Sequence, residues 1–482
     1  MAANGGSRAV RERLKHPVID SDGHTVEFEP ALIDYVKEVG GESLVQRYRG
    51  LMSMGLGGWY QLTPEQRREV RTLRPPWWGL PTRNTLDRAT SSLPKLLSER
   101  LDDIGLDFTV LYPTMGLFAP HAPDEDLRRG LCRAFNTFHA DIYREYADRM
   151  TPAAVIPMDS PQEAIEELEH AVKTLKMKAV MLAGYARRPI PAASKISPDI
   201  GRYAWWFDNL CLDSEYDYDP VWAKCIELGV APTFHSGGMG WGSRVSISNY
   251  MFNHIGHFAA AGEAICKALF FGGVTRRFPK LRVAFLECGV AWACNLYSDM
   301  IGHWEKRNGK AIHNYNPENL DRELLVSLFE RYGGKMVEGR TEQLLLTATS
   351  FGMTREDPAT LDDWRRCGIE KREDIKDLFV PPFFFGCEAD DPGNATAFDT
   401  KRNPFGARLN AIFSSDIGHW DVPDMTEVTK EAYELVEEGI ITEDDFRSFV
   451  FANPVRLWTD MNPNFFKGTR VESDVAKFLA GS

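Results

Sequence analysis

The chain has 482 residues, a formal net charge of −13 and 43% hydrophobic residues. A chain of this size can bury a large core, either as one elaborated barrel-sized domain or as two ordinary domains. The negative charge and the lack of a polybasic run argue against nucleic acid or an anionic membrane as the main partner. No apolar stretch is long enough to span a bilayer. We therefore expect a small-molecule substrate.

The cysteines and the chain ends indicate a single cytoplasmic domain. Eight cysteines occur without a Cys-x-x-Cys pair, and most lie in apolar runs, which is typical of reduced, buried thiols. Met1 to Arg13 is small, polar and basic without the apolar centre of a secretory signal. We expect residues 1–14 to be a flexible tail, 15–465 to be one domain, and 466–482 to be a C-terminal tail.

The segment Val18–Glu27 has the pattern of a buried strand that ends in two polar side chains, Asp22 and His24. Residues two apart on a strand point to the same side, so this strand end can aim a carboxylate and an imidazole at one point. Such a pair suits a divalent metal ion. The alternative is an Asx-type turn in which Asp22 and Gly23 reverse the chain and His24 is exposed.

An insertion of about residues 40–90 follows the first strand and is rich in Gly, Trp and Arg. Its weak periodicity predicts an excursion over one face of the core. Trp59, Trp77 and Trp78 are candidates for lining a substrate cleft, because aromatic residues on such loops often do so. Anchoring of the loop to the body of the protein is the alternative for each.

Seven further short apolar runs predict strands, and the connections between them have helical patterns. These runs lie near Asp107, Ala153, Lys178, Val230, Leu281, Val380 and Asn410. Eight such units favour a closed (β/α)8 barrel of the TIM type, with strands buried on both faces. Residues 301–376 are charged and predict a helical insertion between strands six and seven. A doubly wound open sheet is the alternative, but no Gly-x-Gly-x-x-Gly follows the first strand.

Several predicted strands end in a residue that can bind a metal ion. The first carries Asp22 and His24, the fifth is followed by His235, the sixth by Glu287 and the eighth by Asp416. In a barrel of this kind the carboxyl ends of the strands meet at one mouth. Each residue also has a structural explanation, such as capping a turn, but their joint position predicts a metal site.

The sequence resembles the amidohydrolase-related branch of the amidohydrolase superfamily, which includes aminocarboxymuconate-semialdehyde decarboxylase and the resorcylate decarboxylases. The resemblance extends from Val18 to about Leu457 outside the two insertions, and its motifs are Ile19–His24, Tyr218–Trp222, Pro232–His235, Gly272–Pro279, Leu286–Gly289 with Trp292, and Ser415–Asp416 with His419. It implies a metal-dependent barrel enzyme with Asp22, His24, His235 and Asp416 as ligands. It also implies that His235 and Asp416 are catalytic, with Asp416 as the general base.

Two positions depart from the usual family pattern. The first-strand motif is Asp-x-His where most relatives have His-x-His, and the sixth strand is followed by Glu287 where many have histidine. Carboxylates in place of imidazoles favour Mn²⁺, Fe²⁺ or two ions over a single Zn²⁺. The cofactor is therefore expected to be one or two divalent ions of Zn, Mn or Fe. His419, His257 and Glu27 are the candidates for a second ion.

Three functions remain open from the sequence. The first is a metal-dependent hydrolase or non-oxidative decarboxylase, with Asp416 moving a proton. The second is a dinuclear non-haem iron oxygenase, and the third is a non-catalytic binding barrel. The aromatic insertion predicts an apolar, aromatic or carboxylated substrate, and Arg244 is a candidate for binding its carboxylate. Long insertions in such barrels often form dimer contacts, which leaves a homodimer open.

Overall fold

The computed structural model describes residues 6–53, 58–76, 79–80, 82–197, 199–200, 203–340, 343–344, 357 and 360–481. Its core is one eight-stranded sheet in which strands consecutive along the chain pair in parallel, apart from a separate two-stranded hairpin. The strands are β1 Ile19–Thr25, β2 Phe108–Pro113, β3 Met150–Ile156, β4 Ala179–Leu182, β5 Pro232–Phe234, β6 Val283–Phe285, β7 Phe383–Cys387 and β8 Asn410–Phe413. The eight strands predicted from the sequence are confirmed.

The first and last strands meet and bring the sheet close to a closed barrel. The backbone N–H of Asp416 donates to the carbonyl of Asp22 at 3.0 Å, and that of His24 donates to the carbonyl of Ile417 at 2.9 Å. Every residue of β1 to β4 is buried, as expected for parallel strands that are covered on both faces. The (β/α)8 prediction is confirmed, and the open doubly wound sheet is excluded.

Helices surround the strands and form both insertions. The α-helices of the described chain are Gly6–Arg13, Glu29–Met52, Gly58–Gln61, Pro64–Val70, Thr85–Thr90, Pro94–Ile104, Glu125–Ile142, Pro161–Glu169, Pro191–Ile196, Asp219–Leu228, Tyr250–His254, His257–Phe271, Val274–Arg277, Ala291–Arg307, Arg322–Tyr332, Asp374–Phe379, Ala395–Phe398, Val428–Glu437, Glu443–Arg447, Asn453–Thr459 and Glu472–Ala480. Polar side chains fix several of their starts: Asp124 and Ser160 each accept a hydrogen bond from the backbone N–H three residues ahead. None of the described helices is long and apolar enough to cross a membrane.

Both chain ends differ from the flexible tails expected from composition. Residues 6–13 form a helix in which Val10 is buried and the Ser7 hydroxyl accepts a hydrogen bond from the backbone N–H of Thr429 at 3.0 Å. Residues 472–480 form another helix, and Val471 and Val475 are buried at its start. A few contacts to distant parts of the chain hold each end in place, and the local composition of the ends does not reveal those contacts.

The two predicted insertions are largely helical where the structure describes them, and both contribute buried residues to the core, such as Tyr48 and Trp364. The helix Glu29–Met52 is kinked at Gly40 and Gly41, where Gly41 has a φ of 66°. Trp77 and Trp78 lie outside the described residues. In the second insertion the helix Arg322–Tyr332 buries no residue. An antiparallel hairpin of Ala186–Pro189 and Trp205–Asp208 follows β4, and the sequence did not predict it.

Candidate metal centre

His24 and His235 meet at the mouth of the barrel. His24 lies on β1 and His235 directly follows β5, and their Nε2 atoms are 3.1 Å apart. The Oδ1 atom of Asp22 lies 3.6 Å from each of these nitrogens. All three side chains are buried. The strand ends therefore bring together the three residues that the sequence motifs singled out.

Two further carboxylates complete this group. Asp416 places Oδ1 3.4 Å from Nε2 of His24, and Glu287 places Oε2 3.5 Å from Nε2 of His235. Both residues have positive φ, 51° for Asp416 and 52° for Glu287. Such backbone is uncommon for residues other than glycine, and it concentrates at functional sites. The two residues with this strained backbone conformation are therefore the ones whose carboxylates lie at the barrel mouth.

The spacing of these atoms fits a bound cation. Ligands that each lie about 2.0–2.2 Å from an ion are roughly 3.0–3.6 Å from their neighbours in a tetrahedral or octahedral shell. The separations here run from 3.1 to 3.6 Å. In addition, Oδ1 of Asp22 and Oε2 of Glu287 are buried and have no hydrogen-bond partner among the described residues, which is rare for buried polar atoms. The residues present therefore fit a divalent metal ion.

The electrostatics of the mouth also suit a cation. Burial lowers the pKa of His235 to about 3 and that of His24 well below its ordinary value, so both imidazoles are neutral, as metal ligands must be. Burial, followed by the charge of neighbouring carboxylates, raises the pKa of Glu287 and of Asp416 well above the usual range. A bound ion opposes this rise because it stabilises the ionised carboxylates.

His419 lies against Asp416. Its Nδ1 atom is 2.7 Å from Oδ1 of Asp416, and its Nε2 atom is 3.5 Å from the hydroxyl of Thr114. The ligand atoms of His24, Glu287, Asp416 and His419 all lie within 4.8 Å of one another. Of the three second-ion candidates, His419 is the one that the fold brings to this group.

The other two candidates have different contacts. The carboxylate of Glu27 accepts hydrogen bonds from the backbone N–H groups of Met115 and Gly116, at 2.9 and 3.1 Å. The ring of His257 is buried and packs against Phe258, with ring centroids 3.9 Å apart. Within the described part of the chain, neither joins a group of converging ligand atoms. The geometry does not support the second-ion role expected for them.

Two residues that the sequence analysis did not select lie beside the centre. His254 and Asp421 each offer a ligand atom within 4.8 Å of one on Glu287. Asp421 stands five residues after Asp416 in the same segment. This closeness in sequence to a predicted ligand could have identified Asp421 as a candidate. His254 ends a short helix after β5, and the rule that ligands follow strands gave no reason to choose it.

Trp59 and Arg244, which were predicted to contact the substrate, instead bind other parts of the protein. Nε1 of Trp59 donates to the carbonyl of Ile247 at 2.8 Å, and the guanidinium carbons of Arg67 and Arg74 lie 3.4 and 4.0 Å from its ring centroids. Arg244 donates from Nη1 to the carbonyl of Ile255 at 2.6 Å. Trp59 therefore fastens the first insertion to the loop after β5, which is the alternative that the sequence left open.

Beside the centre stands a group of rings that we call the aromatic wall: His121, Tyr185, Phe207 and Trp241. The rings of His121 and Tyr185 are stacked with centroids 4.6 Å apart, and those of Phe207 and Trp241 are 4.4 Å apart. Nε2 of His121 lies 3.0 Å from the Ser236 hydroxyl, and Tyr185 donates to the carbonyl of Gly237 at 3.1 Å. Ser236 and Gly237 directly follow His235, so the wall borders the metal centre.

Solved structures with a similar fold cover most of the chain. A dihydroxybenzoic acid decarboxylase from Polaromonas sp. JS666, with bound manganese and an inhibitor, is 14% identical with a TM-score of 0.50, over 92% of this chain and 97% of that one. A 2,6-dihydroxybenzoate decarboxylase from Rhizobium is 15% identical with a TM-score of 0.48, over 92% and 99%. A 5-carboxyvanillate decarboxylase from Sphingomonas paucimobilis is 13% identical with a TM-score of 0.47, over 92% and 98%.

A family model described as amidohydrolase matches residues 88–333, just over half of the chain. The matched region runs from the helix Thr85–Thr90 to beyond β6, so it contains His235 and Glu287. Asp22, His24 and Asp416 lie outside it, and their assignment rests on the geometry of the mouth. The resemblance found in the sequence motifs is confirmed: the chain belongs to the amidohydrolase family of metal-dependent barrel enzymes.

Proposed function

We propose that this protein is a metal-dependent, non-oxidative decarboxylase of a small aromatic carboxylic acid. The observation that carries the proposal is the position of Asp416, which lies 3.4 Å from Nε2 of His24 and 2.7 Å from Nδ1 of His419. A proton-carrying pair thus adjoins the metal ligands. Decarboxylation needs a proton donor at this place, because the carbon that loses CO₂ must receive a proton.

Asp22, His24 and His235 would hold the ion, with Glu287 beside them. A divalent ion bound there supplies a Lewis acid that polarises a substrate oxygen. Asp416 delivers a proton to the ring carbon as the carbon–carboxylate bond breaks and its electron pair stays on that carbon. His419 then returns a proton to Asp416. The side chain of His419 is 15% exposed, so it can exchange protons with solvent.

The aromatic wall supports an aromatic substrate. His121, Tyr185, Phe207 and Trp241 present half-buried ring surfaces next to the residues that follow His235. Rings packed at these distances offer edge and face contacts to a further ring. An apolar pocket with a few converging polar groups is the usual form of a small-molecule site. A planar aromatic acid therefore fits this mouth better than a flexible polar substrate.

The fold supports the same reaction class. The Polaromonas decarboxylase shares the barrel and holds manganese, which agrees with the carboxylate-rich ligand set of this chain. Hydrolysis is the competing reaction, in which Asp416 takes a proton from water. The named neighbours give no support to the oxygenase or to the non-catalytic barrel.

The test uses full-length protein loaded with Mn²⁺ and a panel of hydroxybenzoic acids in D₂O. We expect release of CO₂ and a product with one deuterium at the carbon that lost the carboxylate. Asp416→Asn should lower kcat at least about 100-fold, the usual range for losing a general acid. Its manganese content is measured in parallel to separate proton transfer from metal loss. Ester or amide hydrolysis without CO₂ release would instead assign the protein to the hydrolases.

We also propose that the protein is cytoplasmic. We further propose that it forms a homodimer, as its predicted insertions suggest. All eight cysteines are free, which fits a reducing compartment. Light scattering of the purified protein measures its mass, and a monomer across the working concentration range would refute the dimer.

A further inference from the structure

We propose that His121 determines substrate specificity by donating a hydrogen bond from Nδ1 to a phenolic oxygen of the substrate ring. This inference rests on the aromatic substrate of the proposed function and adds one polar group to it. His121 ends the segment Gly116–His121 after β2, and its Nε2 atom lies 3.0 Å from the hydroxyl of Ser236. Ser236 directly follows the candidate metal ligand His235, so the imidazole borders the place where the substrate would meet the ion.

The hydroxyl of Ser236 determines which nitrogen of His121 carries the proton. Its Oγ atom already accepts a hydrogen bond from the backbone N–H of Gly184 at 2.9 Å. A hydroxyl has one proton to donate, and the acceptor for it among the described residues is Nε2 of His121. When Ser236 donates to Nε2, the proton of a neutral imidazole lies on Nδ1. The other tautomer would leave the hydroxyl proton without an acceptor in the described chain.

Nδ1 of His121 is then a donor that the protein leaves unpaired. In the part of the chain that the structure describes, the imidazole makes its hydrogen bond through Nε2, and Nδ1 is not buried away from solvent. An acceptor on the substrate would complete this donor. A site that presents such a donor rejects a substrate without the acceptor, because the donor stays unpaired when that substrate binds.

The charges around His121 suit an oxygen acceptor. Burial, followed by the charges of Arg187 and Arg128, lowers the pKa of His121 to about 4. The imidazole is therefore neutral at neutral pH and carries a single N–H. The same two guanidinium groups make the electrostatic potential at the ring positive. A phenolic oxygen suits this position, because it accepts a hydrogen bond most strongly when it carries negative charge.

Contacts on both sides hold the imidazole in place. Its ring is stacked on that of Tyr185 with centroids 4.6 Å apart, and Tyr185 is itself fixed by donating to the carbonyl of Gly237 at 3.1 Å. The carboxylate of Glu27 fixes the start of the segment by accepting hydrogen bonds from two backbone N–H groups, at 2.9 and 3.1 Å. A donor held in this way loses little freedom when the substrate binds, so it can discriminate between ring positions.

The test measures the binding of five aromatic acids by titration calorimetry. Full-length protein loaded with Mn²⁺ is titrated with 2-hydroxybenzoate and with the four acids that carry one further hydroxyl, at ring position 3, 4, 5 or 6. We expect at least one further hydroxyl to lower Kd about tenfold, the upper range for one neutral hydrogen bond.

Substitutions of His121 assign this gain in affinity to Nδ1. In His121→Phe, which keeps a ring beside Tyr185, the gain should vanish. His121→Asn should restore most of it, because its amide nitrogen matches the position of Nδ1, whereas His121→Gln should not. Ser236→Ala removes the partner that fixes the tautomer and should reduce the gain, and it provides the result if the His121 variants fail to fold in circular dichroism.

Phe207→Leu is the matched control. It removes a ring of the aromatic wall that has no polar atom, so it should weaken the binding of all five acids by the same factor and keep the gain. Loss of the gain in this variant as well would assign it to the shape of the wall and overturn the role of His121.

The remaining outcomes separate this inference from the proposed function. A wild type in which no further hydroxyl tightens binding overturns the inference, as does a gain that persists in His121→Phe or is unchanged in Ser236→Ala. Release of CO₂ without the gain overturns the inference alone, whereas the gain without release of CO₂ supports it and rejects the decarboxylase. Absence of binding by all five acids would overturn both.

Discussion

Asp20 accepts two hydrogen bonds from Ser415, one from its backbone N–H at 2.9 Å and one from its hydroxyl at 2.8 Å. The same carboxylate accepts from the hydroxyl of Thr109 on β2 at 2.6 Å. Asp20 lies on β1, and Ser415 precedes the metal-centre residue Asp416. This buried carboxylate therefore joins the first strand, the second strand and the segment after the last strand, where the barrel closes.

Removing that carboxylate should destabilise the fold. In Asp20→Ala the buried donors of Ser415 and Thr109 lose their acceptor, and a hydrogen bond to a charged group is worth about 1.5–3 kcal/mol. We expect the free energy of unfolding of the metal-free protein to fall by about 3 kcal/mol or more, as measured in urea. Ser414→Ala is the control, because in the described part of the chain the buried Ser414 hydroxyl has no hydrogen-bond partner. Equal effects of the two substitutions would contradict the role assigned to Asp20.

Removing the metal should lower the thermal stability. An ion that binds the folded state alone adds about 2.7 kcal/mol at one hundred times its Kd. For a chain of this length that energy corresponds to a rise in Tm of about 2–4 °C. Calorimetry of chelator-treated protein with and without added Mn²⁺ measures the rise. Asp22→Ala should show no rise, and an unchanged response in that variant would remove Asp22 from the ligand set.

The aromatic wall should act on substrate binding. In Trp241→Ala the substrate ring loses apolar contact worth about 1.5 kcal/mol, which is roughly tenfold in affinity. We expect KM for the best hydroxybenzoate to rise about tenfold with a smaller change in kcat. Tyr332→Ala in the second insertion, an exposed aromatic residue, is the control and should leave both constants unchanged. A fall in kcat alone would place Trp241 outside the substrate pocket.

Much of the barrel could be predicted because its strands are buried on both faces. Such strands are short continuous apolar runs, and β4 and β7 are examples. The hairpin after β4 could not be predicted in this way. Its first strand contains Arg187 and Arg188 and alternates between buried and exposed residues. The buried ion pair of Arg188 with Asp208, at 3.1 Å, links the two strands, and only tertiary structure reveals that pair.

That the candidate metal ligands lie close together was predictable for a related reason. Asp22, His235 and Asp416 are far apart in sequence, but parallel strands of a barrel end at the same mouth. His254 lies at the end of a short helix after β5 and Asp421 lies on the loop after β8, and this rule does not determine the path of either segment. Glu27 was one of the three candidates for a second ion. β1 ends at Thr25, however, and Glu27 turns to the backbone of the segment after β2.

Lys178 occupies the end of the barrel opposite the metal centre, directly before β4. Its Nζ atom donates to the carbonyl of Phe465 at 2.7 Å and lies 4.8 Å from the ring centroid of that residue and 5.1 Å from that of Phe108. Burial lowers the pKa of this amine from its ordinary value near 10.5 to about 8. This hydrogen bond connects the segment before the last helix, which contains Phe465, to the end of the barrel opposite the metal centre.

The stability of the wild type relative to Lys178→Met should therefore depend on pH. Between about pH 8 and 10.5 the folded protein has released the Lys178 proton while the unfolded chain still holds it. Stability rises with pH wherever the unfolded state binds more protons, so the free energy of unfolding should increase relative to the variant by up to about 3 kcal/mol. Below this window the difference is constant, because the amine is protonated in both states.

Urea unfolding at pH values on either side of the window measures this difference in the free energy of unfolding. Lys280→Met, at an exposed lysine before β6, should give a flat difference, and a flat difference for Lys178→Met as well would mean that the ammonium is not buried.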